Sequence, residues 1–274
     1  MSWLRLDVTT ASAAAVALLL GAVLLRPFRQ RWSAWAAAAA FETALVCALF
    51  ALWQLANRLT HTHESGGLAR GRGIWHLERV LHVPSERSLQ QLILGHPTVV
   101  RASNYYYDTA HLTAMVVFLV WLWVRHRNRY APWRNTLVLF TAASLLMQIV
   151  PVAPPRLIGG TGLTDTAMVY GQSVYAFVGS GFADQYAAMP SIHVGWAALI
   201  AVAVFTTSRS RWRWVGPAHG LLTLFVVVAT ANHYWADAAV ALVLLGLAWL
   251  AQRLLPDQLT WMPLPSLRMD PAAE

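Results

Sequence analysis

Two short strings hold the side chains with the most chemistry in this chain: Ala-Met-Pro-Ser-Ile-His at 188–193 and Asn-His-Tyr-Trp-Ala-Asp at 232–237. Each opens a long apolar run and brings a histidine to its edge, where an ionisable side chain is costly unless it has a partner or a task. Forty residues separate His193 from His233, room for one helix out and one helix back, so both return to the same side of a membrane. Asp237 follows His233 by one helical turn, on the same face. A carboxylate that holds one imidazole nitrogen as N–H leaves the other as a nucleophile, and a second histidine nearby can protonate a leaving oxygen. This grouping suits covalent chemistry on phosphate.

The flanking residues extend the site. Pro190 is expected in the first turn of a helix, where its missing donor costs nothing. The open backbone N–H groups of that turn, with the Ser191 hydroxyl, attract an anion. Arg156, directly after Pro154-Pro155, offers a fork that takes two phosphate oxygens. Asn104, Tyr107 and His111 enter an apolar run from the same side and can donate to phosphate or to a sugar-like head group, although a tyrosine run there also has the composition of an interfacial aromatic belt. Asn232 and Tyr234 flank His233 and are counted with the phosphate contacts. His61, His63 and Glu64 lack further close ligands and read as a solvated loop, so neither metal nor cofactor is expected. Asp165 and Asp184 suit helix caps or head-group contacts. Gln148 and His219 suit interhelical hydrogen bonds.

The elements that must position these groups are spans. Of 274 residues, 57% are hydrophobic and 12% charged, against about 25% charged in a soluble domain. The class is therefore an all-α, polytopic transmembrane helix bundle. The net charge of +8 comes from arginine alone. Those arginines sit between apolar runs, the pattern of membrane-flanking charge and not of a nucleic-acid partner. Cys47 is the only cysteine, which excludes an intrachain disulfide.

Seven apolar segments are predicted as spans, at 8–25, 33–57, 109–124, 136–152, 191–207, 214–231 and 236–254: six core spans and one more at the amino terminus. Arg26, Arg29, Arg31, the 125–134 arginines, Arg209, Arg211, Arg213 and Arg253 place their loops in the cytoplasm. Both histidine strings then face outward, on the extracytoplasmic side of a multi-pass cell-membrane protein. Residues 1–255 form a single integral membrane catalytic domain. Within it, 58–108 is an outer-face segment of short amphipathic, interfacial helices. Residues 256–274, with four prolines, form an irregular cytoplasmic tail.

These strings resemble the type 2 phosphatidic acid phosphatase superfamily, whose three motifs are Lys-x6-Arg-Pro, Pro-Ser-Gly-His and Ser-Arg-x5-His-x3-Asp. The second is present as Pro190-Ser191-Ile192-His193, with Ile192 at the glycine position. The third keeps His233 and Asp237, with Val226 and Val227 in place of Ser-Arg. The first keeps Arg156 alone, with Ile149 for the lysine and Leu157 for the proline. The departures are similar to the branch of fungal inositol phosphorylceramide synthases and their bacterial relatives, in which a bulky residue replaces the glycine and the third motif reads closer to His-His-Tyr-x-x-Asp. The resemblance implies a metal-independent enzyme with His233 as the phosphoryl-accepting nucleophile, His193 as general acid and then base, and Asp237 orienting His233. It implies a lipid phosphate or phospholipid substrate, with water or a polyol or lipid alcohol as acceptor. Loss of two family cations tilts the expectation toward head-group transfer over simple hydrolysis. A non-catalytic lipid-binding or transport protein on the same scaffold is the rival class, and haem or metal binding by the two histidines a third.

Overall fold

In a computed structural model, the described residues are 8–25, 28, 31–61, 66–170 and 185–254. They are helical, and the only pairing of β type among them is an isolated bridge between Val152 and Ala187. Arg26, Arg29, His63, Glu64, Asp184 and the tail 256–274 lie outside the described residues.

The described residues divide into two compact units, one up to Leu55 and one over Ala56–Leu254. In the first, α1 (Val8–Leu25) is apolar around its whole circumference, as a lipid-facing span is, and α2 (Arg31–His61) starts there and runs on into the second unit. The second unit holds α3 (Gly67–Val80), α4 (Glu86–Leu94), α5 (Pro97–Arg125), α6 (Arg127–Met147), the one-turn α7 (Thr166–Val169), α8 (Ile192–Thr207), α9 (Val215–Ala229) and α10 (Trp235–Leu254). Helix α9 packs along α8, and α10 lies against α6 and α8. Helices α6 and α8 meet closely at Gly195, where a Cβ would collide with the buried Phe140 ring.

Among the described residues, five helices are long and apolar enough to cross a membrane: α1, Trp32–Leu59 of α2, α5, Arg211–Ala229 and α10. Helix α8 is apolar but shorter, at 16 residues. The expected span at 136–152 is shifted. Helix α6 starts nine residues earlier, after a one-residue break at His126, and stops at Met147 ahead of Pro151, Pro154 and Pro155. Arg127, Arg129 and Arg134 therefore belong to a helix, not to a loop, and Arg134 is buried, bonding Asn135 Oδ1 through Nε at 3.1 Å and Nη2 at 2.8 Å. The third span is also longer than expected. It begins at Pro97, which suits a first helical position, and continues unbroken through the tyrosine run.

The segment expected to form short amphipathic helices does so as α3 and α4. Helix α4 turns Glu86, Gln90 and Ile93 inward and leaves Leu92 exposed. Its Leu89 and Ile93 pack with Val227 and Ala229 of α9 and Val100 of α5. These helices thus cover the end of the bundle at which α8 and α10 begin.

Candidate active site

The turn between α9 and α10 sets the position of His233. Thr230 ends α9, and Ala231 takes a left-handed conformation with φ of 54°. Asn232 and His233 donate their N–H groups back to Val227 O at 3.0 and 3.1 Å. The chain then enters α10, whose first turn carries Asp237. His233 is 4% exposed and Asp237 0%. His233 Nδ1 lies 2.8 Å from Ala188 O and 3.3 Å from Asp237 Oδ2. A backbone carbonyl can only accept, so Nδ1 carries the hydrogen and Nε2 keeps its lone pair. Nε2 is buried and has no hydrogen-bond partner among the described residues. Asp237 Oδ2 also accepts the Tyr234 N–H at 2.9 Å, which ties the carboxylate to the turn it orients.

The second histidine sits at the start of α8. Ser191 is the N-cap, its hydroxyl accepting the Val194 N–H at 3.3 Å. Ser191 is fully buried and its N–H bonds Asp237 O at 3.3 Å, so the two strings are joined through their backbones. Pro190 stands ahead of the cap, outside the first turn where it was expected, on a cis peptide bond with Met189. Its carbonyl accepts from Gln148 Nε2 at 3.3 Å. His193 then places its ring centroid 5.6 Å from that of His233.

Helix α5 completes the cluster. Tyr107 stacks on His193, with centroids 4.3 Å apart and planes 23° apart, and lies 6.3 Å from His233. His111, one turn on, meets His193 edge-on at 4.3 Å. Its Nδ1 bonds Tyr107 O at 3.1 Å, which fixes that nitrogen as the donor. The three histidine rings meet edge-on or tilted, and among the described residues no three His, Cys, Asp or Glu side chains form a metal-binding group.

The other expected phosphate contacts divide. Arg156 is latched beside the His233 turn, its N–H donating to Ala231 O at 3.0 Å and its Nε to Asp165 Oδ2 at 3.1 Å. Asp165 takes one of the two roles expected of it, its Oδ1 capping α7 through the Met168 N–H, and its Oδ2 holds Arg156, which was not expected. Asn104 is buried and its Oδ1 accepts from Thr166 at 3.0 Å, joining α5 to α7. Asn232 is also buried, with Nδ2 donating to Thr230 Oγ1 at 2.8 Å. Tyr234, expected among the contacts to substrate, is fully buried, and its hydroxyl donates to Ala153 O at 3.0 Å. Burial, together with the carboxyls of Asp237, Glu78 and Glu86, pushes that hydroxyl upward in pKa, so it stays a donor. Asn104, Asn232 and Tyr234 therefore brace the loops that hold the reactive groups.

The sequence did not disclose the Ala188 carbonyl, because every residue carries one. Nor did it disclose the Arg156–Asp165 pair, although both members were singled out separately. Glu78 and Glu86, buried beside the start of α10, were not anticipated at all. A charged pair eight residues apart in an amphipathic segment was the available signal.

Two histidines, a carboxylate and an arginine thus gather at one end of a bundle of membrane-length helices. A family model described as the PAP2 superfamily matches residues 72–251. The chain belongs to that superfamily, and membership supports phosphatase- or phosphotransferase-type activity on lipid phosphate. Neither the curated proteins nor the solved structures contain a match to the chain.

Proposed function

We propose that this protein transfers a phospho-head group, of inositol-phosphate type, between lipids and alcohol acceptors through a phosphohistidine on His233. The observation that carries the reading is the Nδ1 lock: Ala188 O and Asp237 Oδ2 hold the hydrogen on one nitrogen and turn the other, unpartnered, into the site. In the first step His233 Nε2 bonds to phosphorus, the bond to the leaving oxygen breaks, and His193 gives that oxygen its proton. In the second, His193 takes the proton of an acceptor hydroxyl, the new P–O bond forms and His233 is released. Arg156, the amide groups at the start of α8 and the Ser191 hydroxyl offset charge on the phosphoryl oxygens. Tyr107 and His111 hold His193. The same two steps with water as acceptor give hydrolysis.

Transfer is favoured by the bulky Ile192 at the start of α8 and by the Asn232-His233-Tyr234 sequence. In this proposal six core spans keep the arginine-bearing connections inside, with the site on the extracytoplasmic face and the carboxyl terminus in the cytoplasm; the arginines between the apolar runs support it. The test is turnover in detergent, with chelator, of a lipid phosphomonoester and a lipid phosphodiester, with and without an added polyol. A transferase makes product from the diester only when the polyol is present, and His233→Ala makes none. Free phosphate from the monoester, lost in the same variant, identifies a hydrolase. Undiminished product in His233→Ala, or no product from either lipid, overturns the assignment of His233.

A further inference from the structure

The first turn of α10 has amide groups that its own helix does not satisfy, as every helix start does. Here the cap is imported from the α3–α4 hairpin. Glu78 Oε1 accepts the Ala236 N–H at 2.7 Å, and the neighbouring Trp235 donates its Nε1 to Pro84 O at 2.8 Å. The next residue is Asp237. Glu78 is 2% exposed and Glu86 0%. Arg79 Nη2 lies 3.2 Å from Glu86 Oε2 and 3.8 Å from Glu78 Oε2. One arginine thus stands against two buried carboxyls that face each other. Glu78 Oε2 and Glu86 Oε1 are buried with no other hydrogen-bond partner among the described residues. The Glu78 and Glu86 carboxyls are in hydrogen-bonding contact, which needs a proton between them, and that proton satisfies both orphan oxygens.

We propose that Glu78 is a positioning residue for the His233–Asp237 pair: it shares one proton with Glu86, and the clamp so formed between the α3–α4 hairpin and the first turn of α10 sets the line of attack of His233. The proposal rests on His233 being the nucleophile. The groups facing Glu78 are Arg79 on its own helix, Glu86 from α4, and Asp237 and the Tyr234 hydroxyl at the start of α10. Burial, the Glu86 carboxyl and, more weakly, the Asp237 charge push Glu78 up to about 8. Loss of the proton leaves Glu78, Glu86 and Asp237 as three neighbouring anions against one arginine. Repulsion then loosens the clamp, so turnover falls as pH rises through about 8.

The experiment compares wild type, Glu78→Gln, Glu78→Ala and His233→Ala on the phosphomonoester and phosphodiester micelles of the preceding assay, across the pH range. Glutamine reproduces the protonated pair, its oxygen accepting from Ala236 and its amide donating to Glu86. Glu78→Gln therefore keeps wild-type kcat near neutrality and loses the alkaline fall. Glu78→Ala lowers kcat on the order of 10²-fold at little-changed KM, the scale of a small misplacement of a reacting group. An alkaline limb in Glu78→Gln identical to wild type, a wild-type profile flat through pH 8, or wild-type kcat in Glu78→Ala overturns the proposal. If Glu78→Ala does not fold, the profile of Glu78→Gln decides. When His233→Ala is inert while the Glu78 variants behave as wild type, positioning fails and the nucleophile stands. When His233→Ala is active, the reading beneath the proposal fails.

Discussion

The starts of α10 and α8 bring two histidines within 5.6 Å of each other but hold them in opposite ways. His233 is fixed by polar contacts: Nδ1 has two acceptors, its N–H is bonded to Val227 O, and one of its acceptors is itself tied to the turn. The His193 ring makes no hydrogen bond among the described residues and is held by a stacked tyrosine and an edge-on histidine. The difference matches the roles proposed for the two rings. A nucleophile works with one nitrogen and gains from a frozen tautomer. A group that first gives and then takes a proton passes through both charge states, and a fixed polar partner would favour one of them. Aromatic faces hold its place without imposing that choice.

Removing the polar-held ring has the largest effect: His233→Ala abolishes turnover, read as loss of all product above the uncatalysed background, with the helical content of the protein unchanged. Next is His193→Ala, with losses of about 10²–10⁴-fold typical of general acid–base groups. A leaving group that needs no proton should recover most of that rate, and no recovery would mean that His193 does something else. Asp237→Asn sharpens the contrast. Where a carboxylate alone fixes the tautomer, its amide costs about 10⁴-fold. Here Ala188 O is the nearer acceptor, so the loss is smaller, about 10²-fold, and a full 10⁴-fold loss would show that the carbonyl does not hold the tautomer. On the aromatic side, Tyr107→Phe keeps the stack and should keep kcat, whereas Tyr107→Ala lowers it; equal losses in both would assign the function to the hydroxyl. The smallest effect is that of Tyr234→Phe. It leaves Ala153 O short of one donor and should cost about 1–3 kcal/mol in thermal or denaturant unfolding, with kcat intact.

The two rings and the polar hold on His233 were largely legible in the sequence. His193, His233 and Asp237 announce themselves by residue type and spacing, because few side chains do this chemistry and helical periodicity brings i and i+4 together. The aromatic side was not. Tyr107 and His111 lie in a run whose composition equals that of an interfacial belt, and only the unbroken helix from Pro97 to Arg125 carries them about 15–20 Å along its axis to the His193 ring. The fourth span was misplaced for a related reason. Hydropathy marks where a helix is apolar, whereas α6 extends through Arg127, Arg129 and Arg134 and stops where the prolines begin. Tyr234 looked like a ligand because it neighbours His233 in sequence. The left-handed turn at Ala231 sends the chain so that successive side chains diverge, and Tyr234 ends against Ala153 and Gly71.

The buried carboxyls add a pH term to stability as well as to rate. Glu78, at about 8 when folded and 4.5 otherwise, binds its proton more tightly in the folded protein. Its contribution is complete below pH 4.5 and is lost as pH rises to about 8. Unfolding followed across that window in wild type and Glu78→Gln should show the slope in the first and its absence in the second.

In the proposed mechanism, the lock on His233 Nδ1 also determines which isomer the covalent adduct is. Of the two nitrogens only Nε2 has a lone pair to give, so the phosphoramidate is the one substituted away from the side-chain stem. Such P–N bonds hydrolyse in acid and survive in alkali. An acid quench, the usual way to stop a phosphatase assay, therefore erases the intermediate, while an alkaline quench preserves it for peptide mapping to residue 233.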